Sequence, residues 1–372
     1  MKRAAVAGVL SICIFLSGCG ILDSKEYVWM DTHPVPTAPQ SNQSIFATDY
    51  ASLYAALIAV VEEGSQQATI SVERYNQNDI EGDLQLAIET VRSSHPIAAY
   101  AVENITYTLG TANGERVIAL NVAYLHGQAE IKRIKPVENV AAAEETVAAA
   151  LVACETGVVL QIMEYAEKDW DQFVKDYALL YPEVVMEVPQ VTVNVFPETG
   201  ATRVVELKFG YQTSRDSLKD MQAQVSNLFK SAQFFASGYY SDNRRFMRLY
   251  SWLMETNQYT IQTSITPAYS LLRYGIGDSR AFSTVYAALC RQMELECITV
   301  FGTKNGESWC WNLVCIEGAY YHVDLLQCSR DGGFTPRVDS QMEGYVWDYN
   351  AYPDSPDPVP ETTEPPATAS PT

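Results

Sequence analysis

The chain has 372 residues, enough for two or three domains with separate cores. Hydrophobic residues at 47% and charged residues at 19% describe an ordinary globular protein and exclude global disorder. A formal charge of −20 argues against nucleic acid as a partner, because phosphate binding needs a positive field.

The first element is a leader. Lys2 and Arg3 precede an apolar run over residues 4–15, shorter than the roughly 18 apolar residues of a membrane span. Leu16-Ser17-Gly18-Cys19 follows and resembles the bacterial lipobox. That resemblance implies a lipoprotein signal peptide over 1–19 and a diacylglycerol on the Cys19 sulfur. The protein is then expected on the extracytoplasmic face of the cell membrane, held by lipid alone. Residues 20–45 are rich in Pro, Ser, Thr and Gln and read as a disordered tether. From Pro353 onward the chain carries seven prolines, and 354–372 reads as a disordered tail. Six cysteines remain after the leader and Cys19: Cys154, Cys290, Cys297, Cys310, Cys315 and Cys328. Free thiols and one disulfide are both open for an exported protein. No CxxC and no Cys/His pair at zinc-ligand spacing occurs, so no metal or cofactor is expected.

Residues 46–135 and 136–225 read as two tandem α+β repeat modules. The stretch 83–96, ending in His95-Pro96, matches 169–182, ending in Tyr181-Pro182, at a constant offset. Ile118, Leu120 and Val122 alternate as Val205, Leu207 and Phe209 do, which is the period of a strand with one buried face. Each unit should open with a helix closed by glycine, at 50–64 and 142–157. A strand follows (69–75; 158–165), then a helix stopped by the proline, then a hairpin. No titratable cluster recurs between the units, so a spacer or binding role outranks catalysis.

The pattern changes in 226–353. Phe246, Leu249 and Leu253 predict a helix over 242–255, and Gly277-Asp278-Ser279 opens another with Phe282, Val285, Tyr286 and Leu289 as its buried stripe. A strand from Cys297 and a hairpin turning at Glu317-Gly318 complete the set. These landmarks resemble the transglutaminase-like superfamily, whose papain-like α+β core puts a helix-borne cysteine beside His and Asp on neighbouring strands. Leu289-Cys290 stands where the family has its Leu-Cys; Trp309-Cys310-Trp311-Asn312 stands for His-Ala-Trp-Asn, and Tyr320 to Asp324 for Trp-Tyr-x-Val-Asp. The resemblance places the catalytic cysteine at Ser279, the histidine at Trp309 and the aspartate at Asp324.

Only the aspartate is retained, and the chemistry explains the weight of that loss. A cysteine at a helix N-terminus beside a protonated histidine reacts as thiolate. A serine there needs a general base, and tryptophan cannot take a proton. Alternation places Cys310 on the face away from Asp324, while His322 shares the aspartate's face two residues off. Ser279 can also be read as a helix N-cap, and Asp324 as the acceptor for the Trp309 or Trp311 indole. Trp311, Asn312 and His322 are the candidate binding residues. The expected function is a non-catalytic, surface-anchored domain, a pseudoenzyme binding or scaffolding a cell-wall peptide, glycan or envelope protein. The alternative is a cysteine-protease-like or acyl-transfer enzyme with a non-standard nucleophile or base.

Overall fold

The computed structural model describes residues 45–76, 79–260 and 267–357. The leader, Cys19, the tether up to residue 44 and the tail beyond 357 lie outside them. The architecture is mixed α+β, with one two-stranded and three four-stranded sheets among the described residues.

The first unit runs β1 (Ile45–Phe46), α1 (Tyr50–Glu63), β2 (Gln67–Ser71), α2 (Ile80–Ser94), α3 (Pro96–Ala101), β3 (Val102–Ala112), β4 (Glu115–Tyr124) and α4 (Gln128–Ile131). Asp49 caps α1 by accepting from the Ser52 N–H, and Gly64 closes it in the left-handed region at φ 70°. The inward residues Ile70, Ile118, Leu120 and Val122 pack on Leu53, Leu57 and Leu84. The second unit runs β5 (Lys135–Asn139), α5 (Val140–Val152), β6 (Gly157–Glu164), α6 (Trp170–Leu180), β7 (Gln190–Phe196) and β8 (Arg203–Gly210). Its core joins Leu160, Ile162, Val205 and Leu207 to Val147, Trp170 and Val174.

The two sheets have the same strand order, β1-β2-β4-β3 and β5-β6-β8-β7, each with its first pair parallel and the rest antiparallel. Several details differ from the sequence reading. The parallel strands β1 and β5 have no alternation that would announce them, and Ile45, assigned to the tether, lies in β1. Helix α5 ends at Val152 rather than at Gly157, and the left-handed position after it is Cys154 at φ 52°. Gly157 lies in β6 instead, where a Cβ would meet the Leu207 carbonyl oxygen at 2.5 Å. Pro96 stops α2 as expected and also starts α3, since proline fits the first turn of a helix.

The units touch in series. Tyr100 of α3 meets Phe196 edge-on at 5.7 Å, and Val204 of β8 belongs to the first core. Arg291 donates to the Leu180 carbonyl at 2.7 Å and to Glu183 at 2.8 Å, tying the second unit to the third.

The third part opens with α7 (Arg215–Ala236), inside which the expected boundary at 225/226 falls, and α8 (Asp242–Thr256). Then come β9 (Gln258–Tyr259), α9 (Pro267–Tyr274), β10 (Ile276–Gly277), α10 (Ser279–Arg291), β11 (Cys297–Lys304), β12 (Glu307–Ile316), β13 (Ala319–Val323), α11 (Leu325–Arg330) and β14 (Tyr345–Val346). Its main sheet has the order β13-β12-β11-β14. Helix α10 is buried at Ser279 and from Ala281 to Cys290, and shares a core with α7, α8 and α9. Ser355, assigned to the disordered tail, is fully buried, and its hydroxyl donates to the Tyr320 carbonyl at 2.5 Å. Packing of the chain therefore continues past Pro353.

Candidate functional site

The site forms where the first turn of α10 meets β12. Asp278, not Ser279, is the N-cap: its carboxylate accepts from the Ala281 N–H at 2.9 Å. Ser279 is the first helical residue, 8% exposed, and its Oγ accepts from the Cys310 N–H at 3.3 Å. That contact sets the start of α10 against β12 one residue past Trp309.

Two tight turns fix which side chains share a face. Asn305-Gly306 (φ 54° and 83°) joins β11 to β12, and Glu317-Gly318 (φ 54° and 82°) joins β12 to β13. Two-residue turns with both centres at positive φ match strand twist and lock register. Trp309 consequently pairs with Gly302, and Asn312 with Val323. Trp309, Trp311, His322 and Asp324 fall on one side; Cys310, Asn312 and Val314 fall on the side of α10.

Asp324 follows β13 as the N-cap of α11. Its Oδ1 accepts from the Leu326 and Gln327 N–H groups at 3.1 and 3.0 Å. Its Oδ2 accepts from Trp309 Nε1 at 2.9 Å, Lys304 Nζ at 2.9 Å and Tyr345 OH at 2.6 Å. Burial first, then the neighbouring carboxylate, pushes the Tyr345 phenol well up, so it stays protonated and donating. The Lys304 ammonium lies 5.2 Å from the Trp309 ring and 4.8 Å from the Tyr345 ring, and also donates to Gln327 Oε1. Tyr259 covers Trp309, with ring centroids 5.9 Å apart. Lys304 and Tyr345 were missed in the sequence reading. The Asn305-Gly306 turn was the available signal, since it places Lys304 and Trp309 on one face.

The remaining candidates for binding, Trp311, Asn312 and His322, lie in the core. Trp311 and Asn312 are 0% exposed and His322 is 1% exposed. Trp311 does not reach Asp324; its Nε1 donates to His322 Nδ1 at 2.8 Å. An indole nitrogen can only donate, so Nδ1 supplies the lone pair and Nε2 carries the proton toward Asp339 Oδ1 at 2.8 Å. Burial lowers the His322 pKa against the opposing pull of Asp339. A neutral imidazole with its lone pair engaged cannot serve as a general base. Asn312 Nδ2 donates to the Ser283 carbonyl at 2.9 Å, tying β12 to α10.

Cys310 is buried and its thiol is pushed up to about 11 by desolvation, with Arg280 pulling the other way. At neutral pH it is a protonated thiol. The described thiols are all unpaired, Cys154, Cys290, Cys297, Cys310, Cys315 and Cys328 alike. Among the described residues no group of three His, Cys, Asp or Glu side chains could hold a metal ion.

Residues 231–325 match the family model of the transglutaminase-like superfamily, so this stretch is a transglutaminase-like domain. No curated protein matches the chain. Among solved structures it is similar to a TGase at 12% identity and a TM-score of 0.28, over 57% of this chain and 61% of that one. It is also similar to a candidate cysteine protease of Cytophaga hutchinsonii, at 14% identity and a TM-score of 0.26, over 42% of this chain and 70% of that one. A candidate protease of Parabacteroides distasonis overlaps at 7% identity and a TM-score of 0.23, over 69% and 39%. This chain thus spans about three-fifths of the TGase's length. Overlaps this loose carry no argument about activity.

Proposed function

We propose that this transglutaminase-like domain is non-catalytic and is carried on a lipoprotein anchored through Cys19 at the extracytoplasmic face of the membrane. Its role there is to bind or scaffold peptide or glycan of the envelope, with the two preceding α+β units as tandem copies that space it from the anchor. One observation carries the reading. At the family's histidine position stands Trp309, a donor, and the family's aspartate is already filled by Trp309, Lys304 and Tyr345. The Ser279 hydroxyl has one hydrogen-bond partner among the described residues, the Cys310 N–H, which cannot accept a proton. Serine chemistry needs an acceptor within about 2.6–3.2 Å, and among the described residues no side-chain acceptor is bonded to the Ser279 hydroxyl, which favours the non-catalytic reading.

The catalytic half is tested with fluorophosphonate and iodoacetamide probes on the folded protein, which should leave Ser279 and Cys310 unlabelled. Stoichiometric, Ser279-dependent labelling would overturn it. The anchor is tested by feeding labelled fatty acid to cells. Label should enter the wild type and not Cys19→Ala, which should leave the membrane fraction; equal labelling of both sinks the anchor.

A further inference from the structure

The end of α7 and the turn that leads to α8 carry Phe234, Phe235, Tyr239 and Tyr240 within seven positions. Two of these rings face water: Phe234 is 85% exposed and Tyr240 is fully exposed. The other two are braced. The Arg248 guanidinium lies 3.7 Å from the Phe235 ring centroid and 5.5 Å from that of Tyr239. Its Nε is buried with no hydrogen-bond partner, so stacking rather than an acceptor holds this arginine. The corner is a braced turn with two rings displayed outward, which is not how core residues are spent.

Charge sets the same corner apart. Between Asp220 and Glu255 the chain has Lys230, Arg244, Arg245 and Arg248 against one carboxylate, Asp242, which pairs with Arg245. Lys230 stands one turn before Phe234 on α7, and Arg244 one turn before Arg248 on α8, so the cations flank the rings. Among the described residues Lys230, Arg244 and Arg248 make no ion pair. The neighbouring turn brings two acids near α8: Met293 accepts from Arg245 through its carbonyl at 3.2 Å, exposed Glu294 follows it, and Glu296 is engaged by the Tyr320 hydroxyl. A chain of net charge −20 therefore displays a cationic corner tipped with aromatic rings.

Exposed rings beside unpaired cations match the headgroup layer of an anionic bilayer. Aromatic side chains partition to that depth, and lysine and arginine meet the lipid phosphates. Exposed rings at the end of a helix pair can enter a headgroup layer. We propose that the α7–α8 corner docks on anionic phospholipid surfaces. The contact is reversible and separate from the lipid at Cys19, and it would lay the transglutaminase-like domain against the membrane.

The chain from Gly20 onward tests this, because it lacks the leader and Cys19 and keeps every described residue from 45 to 357. It should sediment with vesicles containing phosphatidylglycerol, and far less with phosphatidylcholine alone or in 0.5 M salt. Lys230→Gln with Arg244→Gln should cut the partition coefficient by about tenfold or more. Phe234→Ser with Tyr240→Ser should cut it comparably. All four side chains are exposed, so both double variants should melt with the wild type. Equal vesicle binding by the wild type and both variants overturns the proposal. So does binding to an insoluble anionic glycan with none to vesicles, which would make the partner a polysaccharide. Either failure leaves the Cys19 anchor standing, since fatty-acid labelling of the full chain reads that separately.

Discussion

Trp309 and Trp311 stand two residues apart on one face of β12, and their N–H groups end on different chemistry. Trp309 meets a carboxylate that two further side-chain donors already hold, one of them a lysine ammonium. Trp311 meets a neutral imidazole, which passes its own proton toward Asp339. The first cluster is held by charge and the second by the fit of buried rings, Trp311 lying edge-on to Tyr345 and Trp347 at 5.2 and 5.7 Å. Both dispose of a group that could have served as base or orienter. Asp324 has its lone pairs filled, and His322 has its single lone pair capped.

The comparison is broken most severely at Asp324. Asp324→Ala strands the Lys304 ammonium, whose side chain is only 13% exposed, and frees two N–H groups of α11. Removing one partner of a buried pair typically costs about 3–5 kcal/mol, and urea unfolding should show a loss of that size. A loss below about 1 kcal/mol would mean the cluster is held by packing rather than charge.

The next effect is at Trp311. Trp311→Phe keeps an aromatic ring but leaves His322 Nδ1 unpaired in the core, and should cost about 2–3 kcal/mol in the same assay. The imidazole should also lose its fixed tautomer, visible as a change in its nitrogen chemical shifts. Unchanged shifts would show that Asp339 alone orients the ring.

A smaller effect is a slope in pH. Burial holds His322 below its ordinary 6.5, so between the folded and unfolded pKa values the unfolded chain binds more protons. Stability is then full above about pH 6.5 and is lost as pH falls toward the folded pKa. His95, also lowered by burial, adds to the slope in the same direction. His322→Gln should make the decline in Tm between pH 7 and 5 shallower without abolishing it. An undiminished slope would place the effect elsewhere.

Much of this geometry is legible in the residues. A glycine after a residue able to reach positive φ, as at Glu317-Gly318, fixes hairpin register, and with it the shared face of Trp309 and Asp324. The matched alternations around Ile118 and Val205 give the central strands of the first two sheets. What stays hidden depends on contacts distant in sequence. Strands β1 and β5 are short and draw their pairing from parallel neighbours. Tyr345 reaches Asp324 from β14, 21 residues on, and no periodicity announces it. Asn312 and His322 are polar residues that look like binding groups in one dimension. Only the fold shows them spent on joining β12 to α10 and to Asp339.

Turnover tests the central claim most directly. Wild type and Ser279→Ala are assayed side by side for hydrolysis and amine transfer on a panel of glutaminyl and peptide substrates. The single repair Ser279→Cys and the double Ser279→Cys, Trp309→His are run alongside. The wild type should be indistinguishable from Ser279→Ala, and Ser279→Cys should be equally inert, because a thiol near its ordinary pKa of ~8.5 lacks an imidazole partner. Any recovered turnover should require the double change. Robust wild-type turnover abolished by Ser279→Ala would contradict the account and make this a serine enzyme.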